Sequence, residues 1–410
     1  MFTDSIVIKS ERRFLSRPTA PVELLELVGL DSTWTDYIRI MDQSESLVLL
    51  HYLTICKEPN SNIVDDEIMS TIGHVRGTII DTSTNKIICR SLPYTPETTS
   101  MEAVSDENIS DLEFYRAHEG SVIRVFFHDG KWLFSTHRKI DCTTSYWSGP
   151  TFGKMLEETA KFDVETFDKD LCYILLLSHD GTRLIYPVDE PQITLIGVYH
   201  KSESRFLSSS EINDLTIDSS IVWNKPIWFS SFDDFRKEYA AIDGTYRNAG
   251  LICGGKNPVK YITKEYQILR DIRGNEPHLR TRYIELRNTP EKDILTSWFD
   301  QPELYDRVEI EILSLAKTLY RGYVNRFIHK NIEQIPKEEF VTLQRCHEWH
   351  RQDRKSNRMS LDKVREILDE TPSHYLLIML NRQRAARRAM KKNAKEVQET
   401  EQTQETSQSS

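Results

Sequence analysis

Several short stretches of this chain gather side chains able to bind phosphate, bases or a metal ion. Ser135-Thr136-His137-Arg138-Lys139 ends a β-type run with consecutive basic groups, which suits either a phosphate contact or a solvated strand end. Trp132 and Trp147 flank it and could stack bases, although strand alternation sends Trp132 toward a core. Arg273 to Arg282 reads as a glycine turn entering a basic segment, which fits a nucleic-acid contact or a junction between domains. Arg382 to Lys395 holds seven basic residues and no acid in an alanine-rich context. Its Arg382, Arg384, Arg387, Arg388, Lys391 and Lys392 are predicted to bind nucleic acid, while an acidic partner, an import signal or a solvated helix end uses the same composition. Cys346-His347-x-x-His350 has zinc-ligand types, but no second pair follows at finger spacing, so no metal site is assigned.

These groups need a scaffold, and 410 residues are ample for two or three domains with a buried core. Apolar residues at 39% and aromatics at 10% exclude a disordered chain. The net charge, 53 − 63 = −10, argues against a surface coated with nucleic-acid-binding charge, though not against a local basic groove. No run approaches the roughly 18–20 apolar residues of a spanning helix. The polar start, Met1 to Arg12, does not read as a secretory signal, so an intracellular protein is expected, with no membrane contact. Six scattered cysteines without a CxxC pair read as reduced thiols.

Short strand signals dominate the first two-thirds. Ser121–His128 and Lys131–Thr136 bracket Asp129-Gly130 as a hairpin, and Cys172–Leu177 with Arg183–Tyr186 is predicted to bracket Asp180-Gly181 likewise. Ile193–Tyr199, Val75–Asp81 and Lys86–Cys89 have the same character. Helices are predicted over Thr151–Thr159 and, behind Ser231, over Phe232–Ala241. From about residue 295, Leu304, Val308, Ile312, Leu319, Tyr323 and Phe327 form a helical stripe, and another helix starts behind Ser360. The expected organisation is an α+β lead-in over 1–70, an antiparallel-sheet α+β domain over 71–294, and an all-helical domain over 295–380. A basic arm and polar tail complete it over 381–410, the last part disordered.

One ordered set of motifs goes further. Arg76-Gly77-Thr-Ile-Ile-Asp81, then Ile87-Ile-Cys-Arg90-Ser-Leu-Pro93, then Ala117-His-Glu119-Gly-Ser121, Ser135–Lys139, Arg183-Leu-Ile185, Arg247-Asn-Ala249-Gly-Leu-Ile252 and Val259-Lys260-Tyr-Ile262 follow in sequence. Together they resemble the covalent nucleotidyltransferase superfamily, most closely the bacteriophage-type ATP-dependent RNA ligases, over roughly residues 70–290. The run is also similar in texture to uncharacterised proteins of large DNA viruses. The resemblance implies an RNA ligase-like nucleotidyltransferase domain and a cleft for ATP with Mg²⁺.

Ligases of this class attack the α-phosphate of ATP with a lysine amine, hold Mg²⁺ with carboxylates and neutralise the transferring phosphate with lysines. Here the aligned nucleophile is Ala117, the adenine-side acid falls in Tyr173–Leu177 where there is none, the metal-side acid is Ala249, and one terminal lysine is Ile262. One positioned charged group is worth about 3–4 kcal/mol, and a missing nucleophile closes the covalent route. The resemblance therefore implies a catalytically degenerate protein that binds RNA or nucleotide through Glu119, Arg76, Arg90, Arg138, Lys139, Arg183 and Lys260, with Arg124 and His137 on the same segments. Two alternatives stand beside it. One is an active, divergent ligase with a relocated nucleophile (Lys131, Lys139, Lys154 or His118), and the other is a scaffold subunit of a viral transcription or RNA-processing complex. Protein partners would meet the helical domain, in the host cytoplasm, nucleus or virion.

Overall fold

Alternating apolar and polar residues build the hairpin expected around Asp129-Gly130. Ser121–His128 pairs antiparallel with Lys131–Ser135, and Asp129 and Gly130 both take positive φ, 46° and 79°. The computed structural model describes residues 7–8, 12–56, 64–102, 104, 109–147, 149–188, 190–245, 248–255, 258–274, 276–331 and 334–408. The chain forms two compact units, Met1–Arg270 and Asp271–Ser410.

Three sheets make up most of the first unit. The largest runs in the order Lys131–Ser135, Ser121–His128, Leu171–Ser178, Gln192–His200, Arg205–Phe206, with Ile221–Trp223 parallel to Gln192–His200. Leu171–Ser178 is buried along seven of its eight residues because both its faces are covered. Its odd-numbered side chains Leu171 to Leu177 join a core with Ile123, Val125 and Met155, while Cys172 packs on the other face. Each such side chain contributes about 1.5–3 kcal/mol by leaving water.

The return strand expected at Arg183–Tyr186 does not form. Asp180–Thr182 is a single 3₁₀ turn capped by His179, whose Nδ1 accepts the Gly181 N–H at 3.0 Å, and Leu171–Ser178 pairs instead with Gln192–His200. Trp132 packs among Phe127 and Phe167, as its alternation predicts.

A second sheet, Ile38–Ser44, Leu47–Tyr52, Thr78–Asp81 and Lys86–Cys89, is antiparallel throughout. The division expected at residue 70 cuts across it, since Leu47–Tyr52 pairs directly with Thr78–Asp81. Pairing over such a separation is invisible to local composition. The third sheet runs Glu97–Thr98, Val259–Ile262, Asn248–Cys253, Phe114–His118.

Helices dominate the second unit, and they start before residue 295, at Leu279–Leu286 and Glu291–Trp298. Pro302–Tyr323 buries Val308, Ile312, Leu319 and Tyr323, the expected stripe, and passes into a π-helical turn over Val324–Ile328. Ser360 caps Leu361–Asp369 by accepting the Lys363 N–H at 3.1 Å. The backbone is helical over Ser373–Gln408, so the tail expected to be disordered continues the last helix. Ala, Glu, Gln and Lys are good helix formers and no Gly or Pro interrupts them there. No helix among the described residues is long and apolar enough to cross a membrane.

Candidate functional site

The third sheet sorts the motif residues by face. Phe114, Leu251, Cys253 and Tyr261 point into one aromatic core with Phe229 and Phe235. Cross-strand partners share a face, and Ile252 is registered with both Lys260 and Tyr115, Gly250 with Ile262. The opposite face therefore presents Tyr115, Ala117, Ile252, Lys260 and Ile262. Ala117, Ala249 and Ile262 are each at most 1% exposed, so Lys260 stands on this face among buried apolar neighbours. Ala249 lies where the register shifts between Asn248 and Leu251, and Arg247 lies outside the described residues.

Two charged groups remain beside that floor. Glu119 follows the Phe114–His118 strand, and its Oε2 accepts the N–H groups of Ile185 and Tyr186 at 3.1 and 2.9 Å. Gly120 makes this turn practicable, because a Cβ there would stand 2.6 Å from the Leu177 carbonyl oxygen. The other oxygen, Oε1, is buried without a hydrogen-bond partner. Burial pushes the carboxyl pKa up, against the two N–H groups, Tyr266 and Lys260, which favour the anion. Lys260 Nζ lies 2.9 Å from Glu97 Oε1 and 5.5 Å from the Tyr266 ring centre. Burial, seconded by Arg76, brings its pKa down to about 8 against the pull of Glu119. Glu97 also receives Arg270, and Tyr266 stacks on Tyr186 at 5.9 Å.

The other basic residues expected here divide into separate places. Arg76 shares the cleft electrostatically with Lys260. Arg183 folds over its own loop, Nε donating to the Ile185 carbonyl at 3.2 Å. Arg90 is half-buried beside Tyr199, and burial pushes its pKa down against the opposing pull of Tyr199. Lys139 pairs with Asp42 at 3.2 Å, on the wall of a 290 Å³ cavity shared with Glu45, His128, Lys131 and Asp141. Arg138 lies 4.0 Å over the Phe14 ring. Arg124 is fully buried and donates to the carbonyls of Gly77 and Thr136, so it braces the fold and does not line a cleft.

Comparison with known proteins gives viral relatives and ligase-like structures. The chain is 24% identical over 313 residues to the immediate-early protein ICP-46 homolog of Invertebrate iridescent virus 6, covering 68% of each chain. It is 22% identical over 226 residues to the immediate-early protein ICP-46 of Frog virus 3 (isolate Goorha), covering 49% of this chain and 56% of that one. Among solved structures, an archaeal ATP-dependent RNA ligase is similar at a TM-score of 0.44 and 15% identity, over 70% of this chain and 78% of its own. A putative ATP-dependent DNA ligase from Aquifex aeolicus is similar at 0.39 and 14%, over 79% and 87%. No protein-family profile matches.

Glu97, Tyr186 and Tyr266 escaped the sequence reading. Glu97 meets Lys260 only through parallel pairing across 163 positions, and no local spacing signals that. In the helical unit, Arg382 pairs with Glu338 and Glu339, Arg384 stands 3.6 Å from Glu311, and Arg387 donates to the Ser314 hydroxyl. Arg388 is exposed, and the side chains of Lys391 and Lys392 lie outside the described residues. Arg273 turns back onto the carbonyls of Glu276 and Pro277, as a structural junction would. His350 is committed to the Asn357 carbonyl at 2.6 Å, and no metal-ligand cluster occurs among the described residues.

Proposed function

We propose that this chain is an RNA ligase-like nucleotidyltransferase-fold protein that binds RNA or nucleotide in its cleft without ligating. The observation that supports this reading is that Ala117 and Ile262 on the floor of the third sheet, and Ala249 at its register shift, are buried apolar side chains where the resemblance would put an amine, a second lysine and an acid. A cleft that keeps Lys260 and Glu119 offers a cation to a phosphate and an acceptor to a hydroxyl or amino group. ATP with Mg²⁺ is the cofactor the resemblance implies, and Glu97 and Glu119 are the acids beside the cleft. Both are engaged, Glu97 by two cations and Glu119 by two backbone N–H groups, so the residues present do not fit a resident metal site.

Incubation with α-labelled ATP and Mg²⁺ tests the reading. We expect no acid-labile label on the denatured protein, and equilibrium binding of nucleotide or RNA that Lys260→Met weakens. Ala117→Lys alone should gain no label, because the aligned metal-side acid is still absent. A labelled band in either protein overturns the proposal.

A relocated nucleophile is the second reading. Its candidates are Lys131, Lys139, Lys154 and His118, and the three lysines pair with Glu45, Asp42 and Glu158. A third reading is a subunit of a viral transcription or RNA-processing complex, in keeping with the viral origin of the relatives. Partners that survive nuclease in a pull-down would support it.

A further inference from the structure

The helical unit carries a cluster around His347 that the cleft chemistry does not use. Pro302–Tyr323 runs on into the π-helical turn Val324–Ile328, and Lys337–Gln352 packs against the same helix. π-helical turns are rare and recur at functional sites. This one lays Phe327 flat against the His347 ring, centres 4.1 Å apart and planes 9° from parallel, with Tyr323 5.1 Å from Phe327. Phe340, His347 and Arg351 follow one another at seven and four residues, so they share one face of their helix over about 16 Å. Arg326 lies 4.7 Å over the Phe340 ring at one end of that line.

The other end is a basic loop held in shape by its own polar groups. Asp353 ends the helix and accepts the N–H groups of Lys355 and Ser356 at 3.0 and 3.1 Å. The Asn357 side chain donates to the Trp349 carbonyl at 2.8 Å, and the Asn357 carbonyl receives His350 Nδ1. Arg351, Arg354, Lys355 and Arg358 are exposed on this frame, and none makes an ion pair with a described residue. Burial, then Arg351 with Arg354 behind it, lowers the His347 pKa against Glu348, so these arginines stand beside the stacked rings. A helix C-terminus carries about half a negative charge, which a single cation satisfies. Four cations against Glu348 and Asp353 leave a local excess of two positive charges on a chain whose net charge is −10.

We propose that this face of the helical unit binds a single strand of nucleic acid, with phosphates on Arg351, Arg354, Lys355 and Arg358 and a base against the Phe327–His347 stack. Single-strand sites combine a line of cations with aromatic rings, and stacking accepts any base because each has a π-face. An acidic protein segment would use the cations and leave the rings idle, so the stack favours nucleic acid. RNA and DNA strands share this chemistry. The site belongs wholly to the helical unit and uses no residue of the Glu119–Lys260 cleft, so it stands or falls independently of the reading above.

The test is fluorescence anisotropy on the full chain with labelled oligo(U) and oligo(dT) of about 12 nucleotides, repeated over a salt series. We expect one or both to bind, the pair identifying which sugar is accepted. Arg351→Gln/Arg354→Gln should weaken binding about ten- to hundred-fold and flatten the slope of log affinity against log salt by about 1.4. Lys355→Gln/Arg358→Gln carries the same expectation and answers if the first pair melts below the parent. His347→Ala should weaken binding about ten-fold with the slope unchanged, as loss of stacking does. Each factor should be the same in a Lys260→Met background, where the cleft's contribution is removed. Binding that Lys260→Met abolishes and both charge variants leave at parental strength puts the strand in the cleft and overturns the proposal. So does a parent chain that binds neither strand, and so does polyglutamate binding as tightly as oligo(U), which assigns the face to an acidic partner. ATP binding, followed alongside, reports on the cleft reading alone, and its absence leaves this site standing.

Discussion

The floor of the third sheet and the arginine–histidine wall around Arg76 belong to the same unit and follow opposite physics. On the floor, Ala117 and Ile262 are buried with no polar side-chain atom to satisfy, and Ala249 at the register shift is buried likewise. Such a surface is stable without a ligand. The wall keeps three guanidiniums and two neutral imidazoles close together, a costly arrangement unless carbonyls or an anion compensate it. The contrast lies in how each region meets the cost of burial, the floor by carrying few polar atoms and the wall by spending Arg124 on carbonyls.

The contrast can be broken most forcefully at Arg124, whose buried guanidinium holds two carbonyls. Arg124→Met should cost about 2–5 kcal/mol by stranding those oxygens, read as a lower midpoint in urea at unchanged slope. A loss below about 1 kcal/mol would mean the wall is not braced this way. Next in size is acid sensitivity. His51 is held near 3 in the folded chain against an ordinary value of 6.5, so the folded state resists its protonation. Its contribution is complete above about pH 6.5 and is lost as pH falls toward 3. His51→Phe should flatten the melting-temperature profile over that window, and an unchanged profile would exonerate this ring.

A smaller effect sharpens the floor. Lys260 has a pKa near 8, below its ordinary 10.5, so its charge disappears as pH rises through 8. Nucleotide affinity should fall over that range, and Lys260→Met should lower affinity about ten- to hundred-fold at neutral pH while removing the pH dependence. For stability the sign reverses. The folded state binds the proton less well, so this residue's contribution is greatest above 10.5 and declines as pH falls to 8. Smallest of all, Lys154→Ala removes an exposed i,i+4 pair with Glu158 and should change stability by less than about 0.5 kcal/mol. A loss of more than about 1 kcal/mol would show that this exposed pair matters to the fold.

Much of the local structure is legible from residue order. The Asp129-Gly130 hairpin, the helix behind Ser360 and the Val308–Tyr323 stripe each depend on neighbours a few positions apart, and each forms as read; the helix expected over Thr151–Thr159 runs Phe152–Thr159 with Thr151 as its cap. The motif order likewise locates Ala117 and Lys260 before any fold is known. Errors came where a distant partner decides. Arg183–Tyr186 has strand-like residues, yet a capped turn at His179 and pairing to Gln192–His200 leave it outside the sheet. Arg124 reads like its basic neighbours but faces inward, and Arg382 reads as a free arm although Glu338 and Glu339 await it.

By itself, then, the sequence determined the strand and helix chemistry and the helical character of the C-terminal part, because those follow from residue type and short spacing. Tertiary structure alone decided which of seven similar cations is spent on carbonyls, which is paired with an acid and which lysine is pushed toward neutrality. Burial and opposing charge set those outcomes, and both are properties of what the folded chain brings alongside a side chain from far away.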